Sequence, residues 1–174
     1  MARKGDKSDK GSSTSRARAA GGVIRARMRE AGSDVAATSG SNALAPSVAA
    51  ASAAAARRVA NWAAEAGLEK KAEEVQIIDV IGKVDYADYI VLMTGASDRN
   101  VAAIARGVEE DLKQKGVRTL AVEGLPLARW VLIDLVDVVV HVFQAEWRGI
   151  YDLDGLWMDA ARLPVPEGPP ESVR

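Results

Sequence analysis

The sequence predicts a single α/β domain, a mixed and mostly five-stranded sheet packed with helices. Three observations predict it. Helical and strand periodicities alternate between about residues 47 and 160. Tyr89–Met93 is apolar without a break, the pattern of a strand buried on both faces. Two strand patterns then follow within Arg129–Phe143 as a hairpin, which adds antiparallel pairing.

The elements follow in order. Pro46-Ser47 reads as a helix start with Ser47 as N-cap. Val48, Ala51, Ala55, Val59, Trp62 and Ala66 recur at spacings of three and four, one apolar helical face, and Gly67 is placed to stop it. Val75–Val80 is a strand pattern interrupted by Asp79, and Tyr89–Met93 is the second strand. Thr94-Gly95-Ala96-Ser97 is a tight turn, with Ser97 capping a helix that runs to about Lys115. Val101, Ile104, Ala105, Val108 and Leu112 form its buried face, and Gly116 ends it. Val117–Glu123, Arg129–Asp134 and Val138–Phe143 are three more strands. A two-residue turn between Asp134 and Asp137 would strain Leu135 and Val136 at positive φ, so a longer or distorted turn is expected. Glu146–Asp159 reads as one or two short helices.

The 174 residues suffice for one domain with tails. Residues 1–46 carry a net charge of +5 and no aromatic residue, so they read as a disordered basic tail. Residues 47–160 are the domain, and 161–174 read as a Pro-rich disordered tail. From residue 47 onward the net charge is −6, which suits a basic protein partner better than nucleic acid. Contact of the basic tail with RNA is a separate expectation. The chain has no cysteine, so disulfides and thiolate zinc sites are excluded. No apolar run approaches the ~20 residues of a membrane span, and no secretory signal opens the chain.

Catalytic patterns are sparse. His141 is the sole histidine, which excludes two-histidine metal sites. On its strand it reads as a satisfied core or interface histidine before a catalytic one. Neither a nucleophile elbow nor a P-loop is present. Asp79, Asp134 and Asp137 lie in or beside strands, where a Mg²⁺-dependent nucleotidyl enzyme would want carboxylates, and this stands as the alternative reading. Trp130 shares a strand face with Leu132 and Asp134, opposite Val131 and Ile133. It is either an interface anchor or a tryptophan packed under a helix.

Five ordered motifs carry a family resemblance over roughly residues 47–158. Lys70-Lys71-Ala72-Glu73-Glu74-Val75 precedes Asp79-Val80, and Ala87-Asp88-Tyr89 opens a block ending in Thr94-Gly95-Ala96-Ser97. Val122-Glu123-Gly124 follows. Arg129–Asp134 with Asp137–Phe143 is the most distinctive motif, and Tyr151-Asp152-Leu153 with Leu156-Trp157 completes the set. Together these resemble the Iojap-related ribosomal silencing factors. The resemblance implies a nucleotidyltransferase-like fold without catalytic groups, no enzymatic activity and no cofactor or metal. It implies binding to the large ribosomal subunit through its protein fourteen, where the factor blocks association with the small subunit and represses translation during nutrient limitation. The bacterial cytoplasm, or an organelle, is the implied compartment. The expected partner-binding residues are Tyr89, Trp130, Asp134, Asp137 and Tyr151, with Glu123 and Arg148. A homodimer of the free protein, paired through exposed sheet edges, is a further expectation. Three departures stand out. Leu135-Val136 occupies a position where the family commonly has an aromatic residue and Gly. Asn100 stands where a longer side chain would close a capping box. Gly155 is expected to weaken the last helix by ~1 kcal/mol.

Overall fold

Seven consecutive buried residues, Tyr89–Gly95, form the strand around which the sheet is built. The computed structural model describes residues 45–168, with side chains from residue 49 onward. All of them lie within one compact unit, Thr38–Arg174. Helix α1 (Ala45–Glu69) leads to β1 (Glu73–Asp79), β2 (Tyr89–Gly95) and helix α2 (Asp98–Gln114). Strands β3 (Ala121–Glu123), β4 (Trp130–Asp134) and β5 (Val138–Gln144) follow. Short helices α3 (Ala145–Tyr151) and α4 (Leu153–Leu156) precede a two-residue strand, β6 (Arg162–Leu163). The sheet order is β3-β4-β5-β2-β1-β6. Only the central β2–β5 pair is parallel, and the other neighbours are antiparallel.

The alternation along each strand divides the sheet into two faces. Ile77, Tyr89, Val91, Met93, Val131, Ile133, Val138, Val140 and Val142 join the apolar cluster that also holds the buried faces of α1 and α2. The opposite face carries Ile78, Ile90, Leu92, Thr94, Trp130, Leu132, Val139, His141 and Phe143, with α3 packed against β5 and β2. Continuous burial of β2 follows from this two-sided cover.

Several boundaries differ from the sequence expectation. Ser47 lies within α1 instead of capping it, and Pro46 takes a first-turn position where its missing N–H costs nothing. Gly67 does not stop the helix. It sits inside α1, where a Cβ would collide with the Met93 thioether, so it sets how closely the helix can rest on β2. β3 starts later than Val117 because that residue belongs to the helix cap. Its N–H bonds the Leu112 carbonyl at 2.9 Å, while the Gly116 N–H bonds that of Lys113 at 3.0 Å and Gly116 adopts φ +79°. The sheet has six strands, since Arg162–Leu163 pairs with Ile77–Ile78. The Pro-rich segment therefore begins as part of the sheet, not as a disordered tail from residue 161. Residues 1–44 and 169–174, on which the remaining tail expectations fall, lie outside the described residues.

The β4–β5 turn is distorted, as expected, but at one residue. Val136 alone takes positive φ, at 77°, while the Asp137 N–H bonds the Leu135 carbonyl two residues back at 3.2 Å. That is a tight γ-type turn, rare and strained for a β-branched residue. The Asp134 carboxylate accepts the Val136 N–H at 3.0 Å, and Leu135 N–H reaches the Val138 carbonyl at 2.9 Å. The Asp137 carbonyl in turn accepts the N–H groups of Asp88 and Tyr89, which fastens the turn to the start of β2. Replacing the exposed Val136 by Gly removes the strain at the cost of some unfolded-state entropy. We expect Val136→Gly to stabilise the domain by about 1 kcal/mol. An unchanged or lower thermal unfolding midpoint would count against strain at this residue.

Candidate functional site

The face opposite α1 and α2 is defined by three cross-strand rows. Asp134 lies beside Val139, and Val139 beside Ile90. Glu123, Leu132, His141 and Leu92 form the second row, and Trp130, Phe143 and Thr94 the third. Trp130 is the partly exposed centre of an aromatic cluster. Its ring centroid lies 5.0 Å from Phe143 in a stacked arrangement, 4.3 Å from Tyr151 at 46°, and 5.8 Å from His141. Trp147 stacks on Tyr151 at 6.1 Å, and the Arg129 guanidinium lies 5.2 Å from the Trp147 centroid. Leu132, two residues along β4 on the same face, is half-buried.

The Trp130 indole N–H donates to His141 Nδ1 at 3.1 Å. The neutral imidazole therefore carries its own proton on Nε2. His141 is buried, and burial pushes its pKa down to about 3. Its charge is thus absent across the neutral and mildly acidic range.

Arg148 fixes the aromatic lid from the other side. Nε and Nη2 make two 2.9 Å bonds to the Asp154 carboxylate, while Nη1 donates to the Glu74 carbonyl at 2.7 Å and to Thr94 Oγ1 at 2.8 Å. The Glu74 carbonyl is available because β1 bulges there, with Glu74 at φ +46° and two residues opposing one on β2. Hydrogen bonding from Arg148 holds the Asp154 carboxyl below the usual carboxylate range. The Asp152 carboxylate caps α4 through the Gly155 N–H at 3.0 Å, and a Cβ at residue 155 would strike that carboxylate. Gly155 thus leaves room for the cap, since a larger residue would push the Asp152 carboxylate aside, and is not simply a weak helix former.

The expected site residues divide accordingly. Trp130 and Tyr151 touch, Glu123 is exposed in the row beside Leu132, and Asp137 is exposed at the turn. Asp134 belongs to the same face but is buried, its carboxylate spent on the turn. Tyr89 is a correction. It is 4% exposed on the α1/α2 face, where its phenol packs into the core, so it offers no surface to a partner. Arg148 is a second correction, buried at 7% exposure in the network above. Phe143, Trp147 and Arg129 were not singled out from the sequence. The hairpin register, which sets Phe143 opposite Trp130, is the signal that would have found the first of them.

The carboxylates considered for a cation do not gather into a site. Among the described residues, no group of three His, Asp or Glu side chains is placed to hold a metal ion. Burial, with Asp137 and Asp79 nearby, raises the pKa of Asp88. The turn before α2 is closed by its own side chains. Ser97 Oγ accepts the Asn100 N–H at 3.2 Å, and Asn100 Oδ1 accepts the Ala96 N–H at 3.0 Å. Asn100 thus does close the cap, reaching one residue further back than a longer side chain in a capping box.

Two measurements check this electrostatic frame. Arg148→Met strands the Glu74 carbonyl and the Asp154 carboxylate and removes the donor to Thr94 Oγ1, which keeps its bond to the Glu74 carboxylate. We expect a loss of about 2–4 kcal/mol in urea unfolding. A loss below ~1 kcal/mol would show that the lid does not depend on this clamp. For His141 the sign follows from its lowered pKa. Between pH 6.5 and about 3 the unfolded chain binds a proton that the folded chain refuses, so stability falls as pH drops through that window. His141→Gln should flatten this part of the stability–pH curve, and an unchanged slope would contradict a buried neutral imidazole.

Comparison with known proteins places this architecture. The profile of the family described as "Ribosomal silencing factor during starvation" matches residues 53–174. The ribosomal silencing factor RsfS of Bacillus subtilis (strain 168) is 44% identical over 98 residues, covering 56% of this chain and 83% of that protein. A crystal structure from Bacillus halodurans is similar with a TM-score of 0.56 and 35% identity, covering 63% of this chain and 99% of that one. A protein structure from Chromobacterium violaceum gives a TM-score of 0.58 at 30% identity, covering 66% and 95%. With the profile running from within α1 through β6 and over the whole aromatic face, the chain belongs to the ribosomal silencing factor family.

Proposed function

We propose that this chain docks on the large ribosomal subunit through protein fourteen of that subunit, and that the bound factor sterically prevents the small subunit from joining. Translation is thereby repressed when nutrients are short, and no bond is made or broken. The observation that carries the reading is the partly exposed Trp130, held between Tyr151, Phe143 and His141 with Leu132 beside it on the same strand face. An aromatic centre with an apolar surround and charged rim is the anatomy of a docking surface. Glu123 and Asp137 supply acidic rim positions, and the −6 charge of residues 47–174 favours approach of a basic ribosomal protein. None of the described helices is long and apolar enough to cross a membrane. Self-pairing of the free protein through the outer edge of β3 belongs to the same reading, and would be displaced when the ribosome is bound.

The test is sucrose-gradient sedimentation with separated ribosomal subunits. The protein should travel with the large subunit and lower the yield of joined ribosomes. Trp130→Ala should weaken binding by ~2 kcal/mol, about thirtyfold, with its circular dichroism unchanged. Added salt should weaken binding further, through the acidic rim. A protein that stays at the top of the gradient while subunits join normally would overturn the reading.

A further inference from the structure

Trp130 lies on an open sheet face, where a large ring with two free torsions would sample several orientations. Here it does not have that freedom. Stacking with Phe143 and contact with Tyr151 limit the tilt of the indole, but neither sets which edge points inward. The polar edge is set by the 3.1 Å bond from Nε1–H to His141 Nδ1. His141 stands on β5, diagonally placed from Trp130, because the turn register sets His141 opposite Leu132 and Phe143 opposite Trp130. Its ring lies nearly parallel to Phe143, with centroids 5.9 Å apart at 13°, and His141 is 4% exposed. The acceptor is therefore fixed by the core of the sheet, not by solvent.

We propose that His141 is a positioning residue for docking, presenting the Trp130 indole in one orientation before the partner arrives. The inference rests on the reading above, in which Trp130 anchors the complex. Its physical content is preorganisation. A side chain already immobilised in the free protein does not have to be ordered on binding, which lowers the entropic cost of association. The indole N–H is also satisfied internally, so docking need not supply an acceptor for it or leave it unpaired.

The experiment uses the full chain, purified large ribosomal subunits, and four variants. Long-range nitrogen-15 spectra of the unaltered protein should show a bare Nδ1 and a protonated Nε2 on His141. They should also show the Trp130 indole N–H, assigned with Trp130→Phe, exchanging slowly with water. His141→Leu should weaken large-subunit binding about three- to tenfold, with the indole signal shifted and exchanging faster. His141→Gln, which restores an acceptor, should recover both. A purely structural histidine would lower the unfolding midpoint without moving the indole signal, and Gln would not rescue binding. The inference is overturned if His141→Leu binds as tightly as the unaltered chain while Trp130→Ala has lost binding. It is equally overturned if the imidazole proton sits on Nδ1, a result that does not require the Leu variant to fold. Normal binding by Trp130→Ala would instead bring down the docking reading itself, and this inference with it.

Discussion

Parallel pairing of β2 with β5 positions the rest of the molecule. The two strands match over seven residues from Tyr89↔Val138 to Gly95↔Gln144. They leave the sheet at the same end, yet their chains go to opposite faces. β2 continues into α2 on the side of the apolar cluster, and β5 continues into α3 on the aromatic side. The two following helices therefore cover both faces of one strand pair, which is why β2 can be buried at every position. The antiparallel strands on either side inherit that division, so each residue of β4 points either into the core or onto the aromatic face.

On the aromatic face, two buried polar groups do different work. Arg148 is a cation brought inside, and it is tolerable because every arm of its guanidinium has a partner. It binds the lid helices to the β1 bulge and to Thr94. His141 is an ionisable group kept neutral, useful as an acceptor because its proton has gone to the other nitrogen. The indole of Trp157 offers a contrast, since its buried N–H has no acceptor among the described residues. A tryptophan in this domain does not gain a partner simply by being buried. Trp130 has one because the hairpin register delivers it.

Much of this was legible in the sequence, and the gaps have definite causes. Period-two alternation placed Trp130, Leu132 and Asp134 on one face, and the structure keeps them there. Their partners depended on the turn. A two-residue connection would set Asp134 opposite Asp137 and Trp130 opposite His141, whereas the observed register sets Asp134 opposite Val139 and Trp130 opposite Phe143. A shift of two residues preserves faces and changes neighbours. Tyr89 was misplaced for the opposite reason. A run that is apolar throughout has no alternation from which to read its face. Arg148 reads as a surface cation on a short helix, because Thr94 and Glu74 are 54 and 74 residues away in sequence. The short β6 was hidden by Pro164 and Pro166, which suggest an end to regular structure just where two residues complete the sheet edge.

The strand order also governs when this domain can exist during synthesis. β5, buried at all but its last residue, is made after four other strands, and its parallel partner β2 lies some fifty residues upstream in register. The antiparallel β1–β2 pair can form early, but it stays an open hairpin until β5 arrives between β2 and β4. The lid and β6 come later still, from residues 145–163. Folding therefore cannot proceed element by element as the nascent chain lengthens. It waits for contacts that close long loops, which are entropically costly and slow. For a factor read as acting on ribosomes, the aromatic face is completed only once almost the whole domain has left the ribosome that made it.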